Sequence, residues 1–497
     1  MPHLHALIHR LSKQEKRYLK LFDGRQQKGG SNYMRLFDLI HAQKVYDEKA
    51  IRQTEKLQSE KWIKNFPTTK YELYQLVLRS LHAFYAKSNE DSRLEEMVHQ
   101  AEILYNKRLY QQCGRLLDKA EKLSRKLERF RALLGIIDLR RKLIRITVAP
   151  VKKEAEIELL CAEELRVLQT LRMEAQMKRY YAEIQSMTLW KSVEKQELRV
   201  ERSRKLLENY LRASPKGLSY LARLYYHDVR SSCLHNLDKL EAGIAELEEM
   251  VAALEANPQL LGGHMQDYVR AQTKLMLFKS DFRDYENYPE LLGKLWGTVE
   301  GADLPEDMRM QVFLRANMTE MLYRNYVHAF EGIMDLTKRL EAGFVQYGDS
   351  VPASYKGVLL SQITWLLLCA GLPKEALRIG NQMWLENEKT GLQSFDSQTK
   401  ILQIITHFEL GNDDLLPYLL RSLYRRLRRL EETSPLEKNL MDFFQHKLPG
   451  VSSQAGLKKV FASMLADLEA QADHPLVKGR LMFWDFRIWL RQKMDQG

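Results

Sequence analysis

VLLSQITWLLLCAGLPKEALRIGNQMWLENEKTGLQSFDSQTKILQIITHFELGNDDLLPYLLRSLYRRLRRL, residues 358–430, carries the punctuation of four successive helices. The first passes through Trp365 to Cys369 and stops at Ala370-Gly371. The second opens with Pro373, in a first turn where a missing N–H costs nothing, and ends at Gly391. A third spans about Phe395 to Leu410 and stops at Gly411. Asp413 or Asp414 is the expected cap of the fourth, with Pro417 still among its unpaired N–H groups. Gly371 and Gly411 lie forty residues apart, the spacing of a helical repeat. Trp365 and Trp384 are expected to be buried between adjacent units.

The same rhythm extends backwards. Helix-to-helix breaks fall near Asn106, Ala149-Pro150, Ser192, Asn236, Asp281, Asn325, Gly371, Gly411 and Pro449-Gly450. Successive gaps of about 40 to 46 residues accommodate two helices and two turns. Leu116, Leu117, Ala120, Leu123 and Leu127 mark one apolar helix face, and Leu240, Ile244, Leu247, Val251 and Leu254 mark another. Such a pair has two apolar faces, which only stacked neighbours can cover.

Residues 1–90 lack that period. Ser12 and Glu15 form a capping box at the start of a helix through Phe22. Two shorter helices, Tyr33–His41 and Asp47–Glu60, and a longer one from Thr69 to Ala86 follow. This is read as a helical module or cap. Residues 91–432 are the repeats, and residues 433–497 are a last helix pair with a capping helix over Val477–Met494, rich in aromatic residues.

The segment Ala370-Gly371-Leu372-Pro373-Lys374-Glu375-Ala376-Leu377 resembles the inter-helix turn of tetratricopeptide repeats, and Leu237-Asp238-Lys239-Leu240-Glu241-Ala242 is a looser version. The period exceeds the usual 34 residues of that family. The resemblance implies an all-α, right-handed superhelix of helix pairs with a concave inner face.

Composition narrows the function class. With 45% hydrophobic residues, 24 Gly and 13 Pro in 497 positions, helical structure with ample apolar side chains is expected. Cys113, Cys161, Cys233 and Cys369 are far apart, without zinc or redox spacing, and are expected to be reduced and buried. Neither a signal peptide nor a run long enough to span a membrane is evident, so a cytoplasmic location is expected. Nucleotide-binding, serine-hydrolase and zinc-protease motifs are missing, and no catalytic residue, metal or cofactor is assigned. His3, His5 and His9 are the single histidine cluster.

The net charge of +12 is unevenly placed: Lys107 to Lys153 holds fifteen Lys/Arg against four acids, whereas Asp238 to Glu255 is acidic. Arg223, His227 and Arg230 recur at helical spacing, and Arg270, Lys274 and Arg315 follow one and two repeats later. If these lie on the first helices of their pairs, their stripes merge into one basic groove. Arg421 and Arg425 lead the densest basic group, with Arg426, Arg428 and Arg429. Together these sites predict a non-enzymatic scaffold that binds an acidic or extended partner segment in its concave face. The alternative is a regulator whose residues 1–90 touch nucleic acid or an effector protein while the repeats sense a ligand.

Overall fold

A computed structural model describes the chain at residues 2–26, 32–53, 65–85, 90–187, 193–211, 214–300, 304–390, 396–428, 434–451, 453–472, 474, 477, 481 and 483–495. The fold is all-α, with no strand among the described residues. It divides into two compact units, Met1–Arg172 and Met173–Gly497. The division falls inside one 38-residue helix and within the stretch read above as a single repeat array.

In the first unit, helices α1 (Pro2–Arg10), α2 (Lys13–Gln26), α3 (Asn32–Ala42), α4 (Glu48–Gln53) and α5 (Phe66–Tyr85) surround Leu4, Ile8, Leu19, Phe37, Ile40 and Phe66. The capping box forms as expected, Ser12 N donating to Glu15 Oε2 at 2.6 Å and Glu15 N to Ser12 Oγ at 3.2 Å. The second half of the expected Asp47–Glu60 helix lies outside the described residues. Helices α6 (Glu90–Asn106), α7 (Tyr110–Lys126) and α8 (Phe130–Thr147) pack as a trio on Leu94, Ala101, Cys113, Leu117 and Ile136. Helix α9 (Pro150–Met187) adds a second, smaller cluster in which Val167 packs with Leu133 and Ile137 of α8.

The second unit is a succession of helix pairs. After α10 (Val193–Asn209) come α11 (Tyr220–Asn236) with α12 (Leu240–Glu255), α13 (Met265–Phe282) with α14 (Tyr288–Glu300), and α15 (Glu306–Val327) with α16 (Ile333–Tyr347). Then follow α17 (Ala353–Cys369) with α18 (Pro373–Thr390), α19 (Asp396–Glu409) with α20 (Leu416–Leu427), α21 (Pro435–Asp442), α22 (Gln454–Ala470) and α23 (Phe486–Asp495). Each first helix packs on its own partner and on the next first helix: α11 on α13, α13 on α15, α15 on α17, and α17 on α19. Gly371 and Gly411, with φ of +72° and +68°, reverse the chain at the two positions their sequence context marked. Gly343 has a different task. A Cβ there would collide with the Phe313 ring, so only glycine lets α16 close on α15.

Helix α17 is the centre of this unit. Residues 359–369 are buried without interruption, which marks a helix covered on every side. Trp365 is fully buried, donates its indole N–H to Asn325 Oδ1 at 2.9 Å and meets Phe486 edge-on. Trp384, on α18, is only half-buried, against the expectation.

Three further expectations are corrected. Asp413 and Asp414 lie in a 3₁₀ turn, Asp413–Leu415, that leads into α20 without a side-chain cap. Cys161 is exposed, although the other three cysteines are buried. The C-terminal helix begins at Phe486, because Trp484-Asp485 is not helical and Asp485 Oδ1 accepts the N–H of Arg487 at 3.2 Å. It packs on α22 and back on α17. Trp484 Nε1 donates to Ser361 O at 3.4 Å and Gln492 Nε2 to Cys369 O at 2.9 Å.

Trp365→Ala removes the largest side chain from the core of α17 and leaves Asn325 Oδ1 without its donor. Urea unfolding should show a loss of about 3–5 kcal/mol, against a clearly smaller loss for Trp384→Ala.

Candidate functional site

The expected basic groove rests on six residues of α11, α13 and α15, and four of these are occupied internally. His227 Nδ1 lies 2.8 Å from Glu246 Oε2, and Arg230 Nε donates to Glu246 Oε1 at 2.5 Å. Glu246 belongs to α12, so both side chains face the other helix of their own pair. Burial pushes the Glu246 carboxyl up, but the hydrogen bonds from His227 and Arg230 outweigh it and hold its pKa below the usual value.

Arg270 and Lys274 converge instead on Asp228, a carboxylate that is 2% exposed. Arg270 Nε donates to Asp228 Oδ2 at 3.0 Å, and Lys274 Nζ to Oδ1 at 2.6 Å. The Lys274 ammonium also reaches the Asp228 carbonyl and the hydroxyls of Ser231 and Ser232. Arg270 sits 4.9 Å above the Tyr181 ring, and its Nη2 lies 2.9 Å from Asp267 Oδ1. The spacing of four places both cations on one face of α13, and the neighbouring helix meets them with an acid. Burial of the ammonium pushes the Lys274 pKa down, with Asp228 opposing that shift. At Asp267 burial also works against ionisation, yet His264 and Arg270 hold its carboxyl below the ordinary range. The cluster is a clasp between α11 and α13.

Arg223 and Arg315 are half-buried and have no carboxylate partner among the described residues; Arg223 Nε is shielded from solvent without a hydrogen bond. The basic run of the first unit is partly neutralised from outside itself. Asp91 pairs with Arg129, Glu163 with Arg125 and Glu164 with Arg141.

Helix α20 differs. Leu420, Leu423 and Leu427 form its buried stripe, and Arg421, Arg425 and Arg428 share one exposed flank with Tyr418 and Tyr424. No carboxylate pairs with these three arginines among the described residues. Arg421 stands 4.7 Å over Tyr418 and Arg428 5.7 Å over Tyr424, so each guanidinium is braced against its own tyrosine. Arg421 Nε donates to Pro417 O at 3.2 Å, which leaves the two Nη groups free for a fork. Arg429 lies outside the described residues. Where α20 meets a π-helical turn, Phe443–Lys447, a recess of about 300 Å³ is lined by Tyr424, Leu427, Arg428, Lys438, Met441 and His446, among others.

Pairing of His5 and His9 is also visible, with ring centroids 4.2 Å apart and His41 next to His9. Among the described residues no three His, Cys, Asp or Glu side chains gather into a set that could hold a metal ion. No described helix is long and apolar enough to cross a membrane. Sequence reasoning missed Asp228, Glu246 and Asp267, the acids that decide which cations are available. The one signal was an Asp in mid-helix between Tyr226 and Val229, where a carboxylate needs a partner. Compared with models of known protein families, with curated protein sequences and with solved structures, the chain matches none.

Two outcomes are expected in urea unfolding. Asp228→Ala strands two partly buried cations and should cost about 3–5 kcal/mol, whereas Arg421→Ala should stay within about 0.5 kcal/mol of the parent. Glu246 and Asp267 have depressed pKa values in the fold, so their contribution is complete above the ordinary carboxyl values, 4.5 and 3.8, and fades as pH falls below them. Their share of the stability should therefore hold from about pH 7 to 5 and be lost further down, so that below about pH 5 the unfolding midpoint falls less steeply in Glu246→Gln.

Proposed function

We propose that this chain is a non-enzymatic interaction scaffold that holds an acidic or extended segment of a partner protein. The observation that carries the reading is a contrast in how cations are used. On α11 and α13 the fold supplies acids to His227, Arg230, Arg270 and Lys274. On α20, among the described residues, it supplies none to Arg421, Arg425 and Arg428 and leaves their flank exposed. A cation already paired at short range has little attraction left for a partner, so α20 is the favoured contact face. Arg223 and Arg315 remain candidates for a weaker contribution.

The layout of α11 to α20, pair upon pair, supports a tetratricopeptide-like arrangement, and we extend it to a right-handed superhelix with a concave face. A cytoplasmic location accords with buried thiols. Burial pushes the Cys233 pKa up to about 12 and raises that of Cys369, which leaves both inert. The alternative, contact of residues 1–90 with nucleic acid or an effector, has less support, since several cations there are engaged within the module. Lys20 pairs with Asp38, and Lys70 and Arg52 with Glu48.

The test is binding of a fluorescent poly-glutamate peptide to the full chain and to the Arg421→Glu/Arg425→Glu variant. The variant should lose about tenfold or more in affinity, which is about 1.4 kcal/mol, and much of the salt dependence. Equal binding by the two proteins would remove α20 as the contact face.

A further inference from the structure

We infer that the recess between α20 and the π-helical turn seats one large apolar side chain of the bound acidic segment, with carboxylates of that segment on the surrounding cations. The inference rests on the scaffold reading and adds what the segment must look like.

The recess joins two kinds of surface. Leu427, Met441 and the Tyr424 ring are apolar, whereas Arg428, Lys438 and His446 bring nitrogen to its edge. Asp442 is the one acid among its lining residues, and it lies 3.6 Å from Lys447 Nζ. Tyr424, Arg428, Lys438 and His446 are exposed, so the rim is open to a partner. At about 300 Å³ the space is at the small end of ligand pockets, which run from ~300 to 1,000 Å³. It fits a side chain better than a cofactor. The walls are anchored from behind: Phe443 and Phe444 are buried, and both rings pack on Trp489. The π-helical turn, closed by Leu448 N donating to Phe443 O at 2.9 Å, carries Gln445 and His446 onto the wall.

The chemistry favours a peptide over a nucleic acid. Single strands bind such basic surfaces by stacking bases on open aromatic faces. Here Arg421 and Arg428 already take one face each of Tyr418 and Tyr424. A guanidinium held over a ring still has N–H groups to offer, which suits a carboxylate. An apolar side chain next to acids would fill the recess and reach Arg428 and Lys438 together.

Two peptides of equal charge decide the matter: all glutamate apart from one central Phe, and the same with central Ser. Their affinities for the full chain should differ by about tenfold in favour of Phe. Tyr424→Ser should abolish the difference without changing the thermal midpoint, and Lys438→Glu should weaken both peptides. Equal binding of the two peptides overturns the recess and leaves the scaffold reading intact. Failure of both peptides to bind removes the scaffold reading along with it. A single-stranded oligonucleotide of matched charge that binds more tightly than the Phe peptide also overturns the proposal, as does self-association of the chain in place of peptide binding.

Discussion

Burial of α17 on every side is the constraint on which the second unit depends. A helix without a solvent face satisfies most of its polar groups locally or from its neighbours; the buried Gln362 amide is the exception, with no hydrogen-bond partner among the described residues. Ser361 Oγ and Thr364 Oγ1 return to the carbonyls of Val358 and Leu360 in their own helix. The Trp365 indole N–H goes to Asn325 on α15, and the carbonyls of Ser361 and Cys369 receive donors from the C-terminal segment. These bonds specify where neighbours lie, which apolar packing alone does less sharply. The apolar core around α17 is continuous from Met310 to Leu490.

Charge is distributed by the same logic of supply. Cations at helical spacing look alike in a sequence whether or not an acid meets them across a helix contact. Asp228 converts Arg270 and Lys274 from a binding stripe into a structural clasp, and Glu246 does so for His227 and Arg230. Among the described residues, the flank of α20 combines density, exposure and lack of a carboxylate partner. Availability is thus a property of the tertiary contact, and a count of Lys and Arg does not report it.

Helix identity and many boundaries were legible because glycine and proline mark them chemically. Gly371, Gly411 and Pro373 fall where their backbone preferences place them. Other turns hid. Arg108, Glu128, Asp238, Arg283 and His328 all adopt positive φ, four of them near 60°, in the role glycine usually fills. Arg283 and His328 close α13 and α15, and the left-handed His328 is why the break near Asn325 showed so little in the sequence. The arginines of α20 were also legible, since Leu423 and Leu427 fix which way the helix turns, although Tyr424, which its apolar ring grouped with them, is exposed. The recess was not, because its lining comes from two helices and a π-helical turn that no local pattern announces.

The donor at Gln492 reaches back 123 residues to Cys369, and that distance is also a time. Chains grow at ~5–20 residues per second, so about 6 to 25 s separate synthesis of the two residues. Throughout that interval α17 has its earlier neighbours but not α23. An apolar strip, and two carbonyls that will later accept donors from the C-terminal segment, face the medium while the chain is still being made. Any chaperone that attends this protein therefore has its longest window at α17. A stalled or shortened chain would expose the surface that the finished protein hides best.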